Sequence, residues 1–381
     1  MQIHGSTTMS EFFGDFVIYR RLEPCDARLP GLPDLWESLG WPAYRIPRKS
    51  EPAYADVVAE ILRQARRLDA PGATIRRLIY IGDTRMNDGT AFINICEAGG
   101  WDGRSFIGAE KPAEAPAHTL EENFYLANRW AMLGDFVSHL AEIGFTLDEE
   151  TVAVIDMDKT TVGARGRNDK VIDNARVQAV HETVAGALGD AFDADAFRLA
   201  YDTLNQTDYH PFTGDNQDIL AYLCLVIGGK IIALDEMAAG INSGAIPYFD
   251  ALIRRLDEQQ SGALEEARLL SIHRDVLSAW DAGDPTPFKA FRYREFDTTT
   301  RHFDAAPPAG SLDDLLASRI MITEEVRATA NYLKQQGVLI FGLSDKPDEA
   351  SVPDVAAREA GRQPLHRCPT LAAGEKLSPG N

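Results

Sequence analysis

The sequence predicts an α/β fold, built on a mostly parallel sheet and joined to a separate helical domain. Three apolar runs, Leu78–Ile81, Val152–Ile155 and Val338–Leu343, have the length and side-chain type of buried strands. Each runs straight into a turn carrying carboxylates or a hydroxyl, which is where parallel sheets present their ligand groups. Between the second and third run, from about Val171 to Ile320, helical patterns dominate, over a length typical of a whole domain.

The chain is long enough for two cores at 381 residues, and its 45% hydrophobic and 25% charged content is ordinary for a globular protein. The formal net charge of −20 argues against a nucleic-acid or anionic-membrane surface, since phosphate contacts need clustered Lys and Arg. Any phosphorylated substrate would therefore need local positive charge or a metal. Cys25, Cys96, Cys224 and Cys368 are scattered, without a CxxC pair, as expected of thiols in a reducing compartment. No stretch reaches the roughly 18 apolar residues of a membrane span, and the first residues lack a basic-then-apolar leader. These features predict a cytoplasmic protein.

Taken in order, residues 1–46 offer only a possible short strand at Phe16–Tyr19 among scattered prolines. From Pro47 the text is legible. Tyr54, Val57, Val58, Ile61, Leu62, Ala65 and Leu68 fall at helical spacing, and Ser50 and Pro52 suit the first turn. Lys49 thus precedes a helix N-terminus, a favourable place to meet an anion. Leu78–Ile81 then delivers Gly82, Asp83 and Asp88 into a loop, and carboxylates at this offset suit a hard cation. Thr90–Ala98 reads as a helix, Phe106–Ala109 as a strand, residues 111–118 as a linker and Leu120–Ile143 as one long helix.

The strand Val152–Ile155 ends in Asp156-Met157-Asp158-Lys159-Thr160. Two carboxylates so close repel, and burying them calls for a counter-ion, most simply a divalent cation. One carboxylate can attack while the other exchanges protons. Arg165, Arg167 and Lys170 follow among glycines, a flexible basic segment suited to a substrate anion. After the helical stretch, Thr323 caps a helix ending near Gly337, and Val338–Leu343 delivers Ser344 and Lys346. A helix at Ser351–Ala360, a possible short strand at Pro364–Arg367 and a poorly ordered tail from Pro369 complete the reading.

Together these residues resemble the haloacid dehalogenase (HAD) superfamily. Its first motif, DxDx[TV], is matched by Asp156–Thr160, and its second, a buried strand ending in Ser or Thr, by VLIFGLS ending at Ser344. Its third, a helix-leading lysine, is matched by Lys49, and its fourth, GDxxxD or GDxxxxD, by Gly82–Asp88. The written order departs from the family, because the third and fourth motifs precede the first. Read as a circle the order is kept, so the resemblance implies a circularly permuted, Rossmann-like three-layer core over 1–163 and 321–381. An α-helical cap would occupy 164–320.

The resemblance further implies a Mg²⁺-dependent phosphatase acting on a small-molecule phosphate ester. Asp156 would attack phosphorus and Asp158 would serve as acid and then base. Ser344 and a lysine, Lys49 in preference to Lys346, would hold the phosphoryl oxygens, with Thr160, Arg165 and Arg167 nearby. Mg²⁺ would lie among Asp156, Asp158, Asp83 and Asp88. A phosphomutase, another hydrolase of the superfamily or a catalytically silent binding module are the alternatives; the family's dehalogenases lack the second aspartate that Asp158 supplies. The circular reading makes one geometric demand. The carboxyl groups of Asp83 and Asp156 must lie within about 8 Å of each other.

Overall fold

The computed structural model describes residues 1–307 and 309–377. Ten strands lie among them, in chain order β1 (Gln2–Thr7), β2 (Val17–Ile18), β3 (Arg77–Gly82), β4 (Asp102–Gly108), β5 (His118–Glu121), β6 (Phe124–Ala127), β7 (Thr151–Asp156), β8 (Ile322–Thr323), β9 (Leu339–Leu343) and β10 (Thr370–Gly374). The main sheet has seven strands in the order β2-β9-β7-β3-β4-β6-β5, all parallel except the β5–β6 pair. All six residues of β7 are buried, as a central strand covered on both faces requires.

Alternation along the strands sorts the core into two layers. Ile79, Ile81, Ala153, Ile155 and Ile340 point to one face, where helices Leu133–Glu142 and Glu324–Gln335 pack. Leu78, Tyr80, Val152, Val154, Leu339 and Phe341 point to the other, covered by helices Pro52–Asp69 and Asn87–Gly99. This is a helix–sheet–helix arrangement of α/β type. Its central tips are level: Asp156 pairs with Leu343 of β9, and Ile155 with Ile81 of β3. A smaller sheet, in the order β1-β10-β8, ties the first strand antiparallel to the last.

The chain divides into two compact units, one formed by Met1–Asn174 with the described residues from Thr299 onward, the other by Ala175–Thr298. The divisions fall within helices Asp169–Leu188 and Lys289–His302, so the helical unit is shorter at both ends than the 164–320 segment expected from the sequence. Within the second unit, helix Gln217–Gly228 is buried almost throughout. Its Asp218 accepts from the Phe288 amide at 3.0 Å and from Arg292 Nε at 2.7 Å. Arg292 also donates to Glu295, which accepts from Arg176 at 3.2 Å. No helix of the described residues is long and apolar enough to cross a membrane.

Four expectations from the sequence fail. The helix expected over Leu120–Ile143 is a hairpin, β5 and β6, followed by a short 3-10 turn and the helix Leu133–Glu142. Glu122 takes a left-handed φ of 49° and reverses the chain, and Phe124 and Tyr125 bury their rings beside β4. Over its described part the tail is not loose, since β10 is buried along its whole length; residues 378–381 of that expectation lie outside the described residues. Pro364–Arg367 is a 3-10 turn, Leu365–Arg367, rather than a strand. Pro353 delays the helix expected from Ser351, which shrinks to Val355–Glu359.

Removing one member of a buried charge network leaves the rest uncompensated. Arg292→Met is expected to cost about 3–5 kcal/mol of the helical unit's stability, read as a lowered urea midpoint of Trp280 fluorescence. An unchanged midpoint contradicts this.

Candidate metal and phosphate site

The tips of β3 and β7, with Lys49 from the loop before helix Pro52–Asp69, bring the chemistry together. Carboxylate oxygens of Asp83, Asp88 and Asp156 lie within 4.8 Å of one another. The demand made by the circular reading is therefore met. Lys49 Nζ donates to Asp88 Oδ1 at 2.6 Å and to Asp156 Oδ1 at 2.7 Å, in a setting where all three side chains are nearly sealed from water.

The three carboxylates differ in how they are satisfied. Asp88 takes five donors: Lys49 and the Tyr80 hydroxyl on Oδ1, and the Asp83 amide, the Thr84 amide and the Thr84 hydroxyl on Oδ2. Gly82 makes room for it, since a Cβ there would stand 2.6 Å from the Cβ of Asp88. Burial opposes ionisation of Asp88, but Lys49 and these hydrogen bonds outweigh it and hold its pKa below the usual range. Asp83 bonds to Arg165 Nε, and burial with the neighbouring Asp88 pushes it up to about 7 against that pull. Asp156 has Lys49 on one oxygen, while its buried Oδ2 has no hydrogen-bond partner. Burial, against the pull of Lys49 and with Asp88 and Asp83 adding to it, drives its pKa well above the ordinary value. Burial works against the Lys49 ammonium too, but Asp156 and Asp88 together keep its pKa raised.

The turn after β7 is closed by its own residues. Thr161 donates its hydroxyl to the Asp156 carbonyl at 2.7 Å, and Lys159 takes a left-handed φ of 63°. Asp158 is half-buried and lies outside the three-carboxylate cluster. The Thr160 hydroxyl is buried without a hydrogen-bond partner. Ser344 is buried at the tip of β9, its Oγ accepting from the Lys346 amide at 3.1 Å. Lys346 is also buried, and Arg20 donates its amide to the Lys346 carbonyl at 3.1 Å.

No family model, curated protein or solved structure matches the chain.

Two sequence expectations about cations change here. The basic segment is anchored, not flexible: the Arg165 carbonyl accepts from Trp130 Nε1 and the Glu110 amide, and Asn168 bonds to the Leu316 and Arg319 carbonyls and the Met321 amide. Gly166 has a φ of 76° and presses on Glu110, whose carbonyl oxygen would be 2.0 Å from an added Cβ. Arg167 does not join the carboxylate cluster as a substrate cation. Its guanidinium is bound to Glu325 and Glu110, far along the chain on either side.

Sequence reading missed two residues that shape the site. Tyr80 reaches Asp88 from the strand interior, where an aromatic reads as plain core. Arg20 ties the Lys49 loop to the turn after β9, donating to the Pro47 carbonyl and pairing with Asp345 at 3.3 Å. The two-residue strand before it is too short to show a period.

Lys49→Met should destabilise the fold by about 3 kcal/mol, because two buried carboxylates lose their shared counter-ion. Adding Asp88→Asn to that variant should recover part of the loss in a double-mutant cycle; strict additivity would refute the shared role of Lys49.

Proposed function

We propose that this protein is a divalent-metal-dependent phosphatase that forms an aspartyl-phosphate on Asp156, and that it is a circularly permuted relative of the HAD superfamily. The observation that carries this reading is the unpartnered, buried Oδ2 of Asp156 in a cluster where three carboxylates meet two side-chain cations. An oxygen left so is a strong incentive for an additional ligand. All-oxygen donors suit a hard cation such as Mg²⁺. Asp83 and Asp156 would hold it with the carbonyl of Asp158, while Asp88, saturated by five donors, would sit behind them and keep Lys49 in place.

Several arrangements agree with the reading. The strand tips carrying Asp156, Ser344 and Asp83 are neighbours in one sheet, β9-β7-β3. The first and last strands pair directly, so the ends of the circle meet in β1 and β10. The helical unit Ala175–Thr298 stands in the chain where the superfamily carries its cap.

In the proposed reaction an Asp156 oxygen attacks phosphorus and the bond from phosphorus to the ester oxygen breaks. Asp158 gives its proton to the departing alkoxide. It then takes a proton from water, whose oxygen attacks the phosphoryl group and releases phosphate and the Asp156 carboxylate. Ser344 and Lys49 would orient the phosphoryl oxygens. Bound Mg²⁺ would offset charge between carboxylates and phosphoryl group.

Hydrolysis of a generic aryl phosphate tests this. Activity should need Mg²⁺, vanish with EDTA and vanish in Asp156→Asn, while Asp158→Asn should lose about 10²–10⁴-fold in kcat. Turnover by Asp156→Asn at the wild-type rate removes the mechanism.

A further inference from the structure

We propose that Arg165 is a stand-in cation: it holds Asp83 until a divalent metal takes that carboxylate, and its guanidinium then turns to the phosphoryl group of the substrate. This rests on the phosphatase reading for the identity of the second anion, but its first half concerns the metal alone.

Lys49 and Arg165 bond cluster carboxylates while Arg167 pairs elsewhere, and Lys49 and Arg167 are fixed. Lys49 is buried between two carboxylates and cannot leave without stranding both. Arg167 is bound by Glu325 and Glu110, its side chain 6% exposed. Arg165 differs in that its backbone is held while its head is near water. Its amide donates to the Lys159 carbonyl at 2.8 Å and its carbonyl accepts from Glu110 and Trp130. Yet its side chain is 36% exposed, against 7% for the Asp83 it bonds. A fixed root with a wet, long side chain is the build of an arm that can exchange partners.

The exchange has a physical cause. A metal on Asp83 places two positive charges where the guanidinium now supplies one, so the two repel and compete for one carboxylate. A phosphoryl group arriving at the same metal offers the guanidinium a planar pair of oxygens, which its fork fits. One residue would thereby weaken metal binding in the absence of substrate and strengthen phosphate binding in its presence. A residue with only a structural role would move both affinities in the same direction, or neither.

The test uses the full chain as wild type, Arg165→Gln and Arg165→Met. Mn²⁺ is titrated first without substrate, followed by the free-ion electron paramagnetic resonance signal. Inorganic phosphate is then titrated into the Mn²⁺-saturated protein by calorimetry. Both variants should bind Mn²⁺ about tenfold more tightly and phosphate about tenfold more weakly than wild type, a size typical of coupling between two ligands. Unchanged or weaker Mn²⁺ binding in both variants overturns the proposal, and so does unchanged phosphate binding. A chain that meets both expectations yet hydrolyses no ester overturns the phosphatase reading and leaves this assignment standing.

Discussion

The site depends on one ammonium held between two carboxylates, Asp156 at the end of β7 and Asp88 in the first turn of helix Asn87–Gly99. Lys49 stands between Asp88 and Asp156, and all three are nearly excluded from solvent. Without it, the tips of β3 and β7 would press like charges together in a medium of low dielectric, which neither side chain could tolerate ionised. Its own position is prepared from outside the sheet. Arg20, just beyond β2, bonds the Pro47 carbonyl and so fixes the loop from which Lys49 reaches inward. Asp88 is prepared from the other side, its five donors holding it ionised so that the lysine always has one firm anchor.

The same logic of remote charges meeting operates at the chain's ends. Arg167 leaves the acidic turn to bind Glu325 at the start of helix Glu324–Gln335, and Glu325 in turn accepts from the Glu375 amide. Gly374 passes so close to the Glu325 carboxylate that a Cβ would meet its oxygen at 2.2 Å. Thr370 hydroxyl donates to the Ile320 carbonyl at 2.6 Å. Each contact joins segments remote in sequence, and together they seat β10 between β1 and β8. The carboxylate site and the small sheet are therefore linked through the segment Arg165–Asn168, which serves both.

What could be read in the sequence follows from how local each signal is. The strands β3, β7 and β9 announce themselves by apolar runs, and Asp83, Asp88, Asp156 and Ser344 by standing just beyond them. Lys49 was legible only through the helix it precedes, since nothing around it indicates burial. The strand β10 was hidden because Leu-Ala-Ala-Gly carries little apolar surface; its burial is decided by β1, β8 and Glu325, hundreds of positions or a whole helix away. The β5–β6 hairpin was hidden by accident of spacing. Leu126, Trp130 and Leu133 recur at helical steps, yet they lie on a strand, a 3-10 turn and a helix respectively. The fate of Arg167 was unreadable for a different reason: a cation beside an acidic motif looks like a ligand group until its true partners, Glu325 and Glu110, are placed.

The charge count explains why a divalent ion, and no further side chain, suits the cluster. Asp83, Asp88 and Asp156 bring three negative charges when fully ionised, and Lys49 and Arg165 bring two positive ones. Burial and Asp88 push Asp83 up to about 7, so proton uptake relieves part of the excess. Replacing Arg165 by a doubly charged ion brings the total to neutrality with Lys49 unmoved, and it offers a partner to the orphaned Asp156 oxygen that a proton or a monovalent side chain would satisfy less well. On the proposed exchange, the displaced guanidinium would add one net positive charge at the wet side of the cluster. In a chain whose formal charge is −20, that local surplus is what would let a phosphate dianion approach at all.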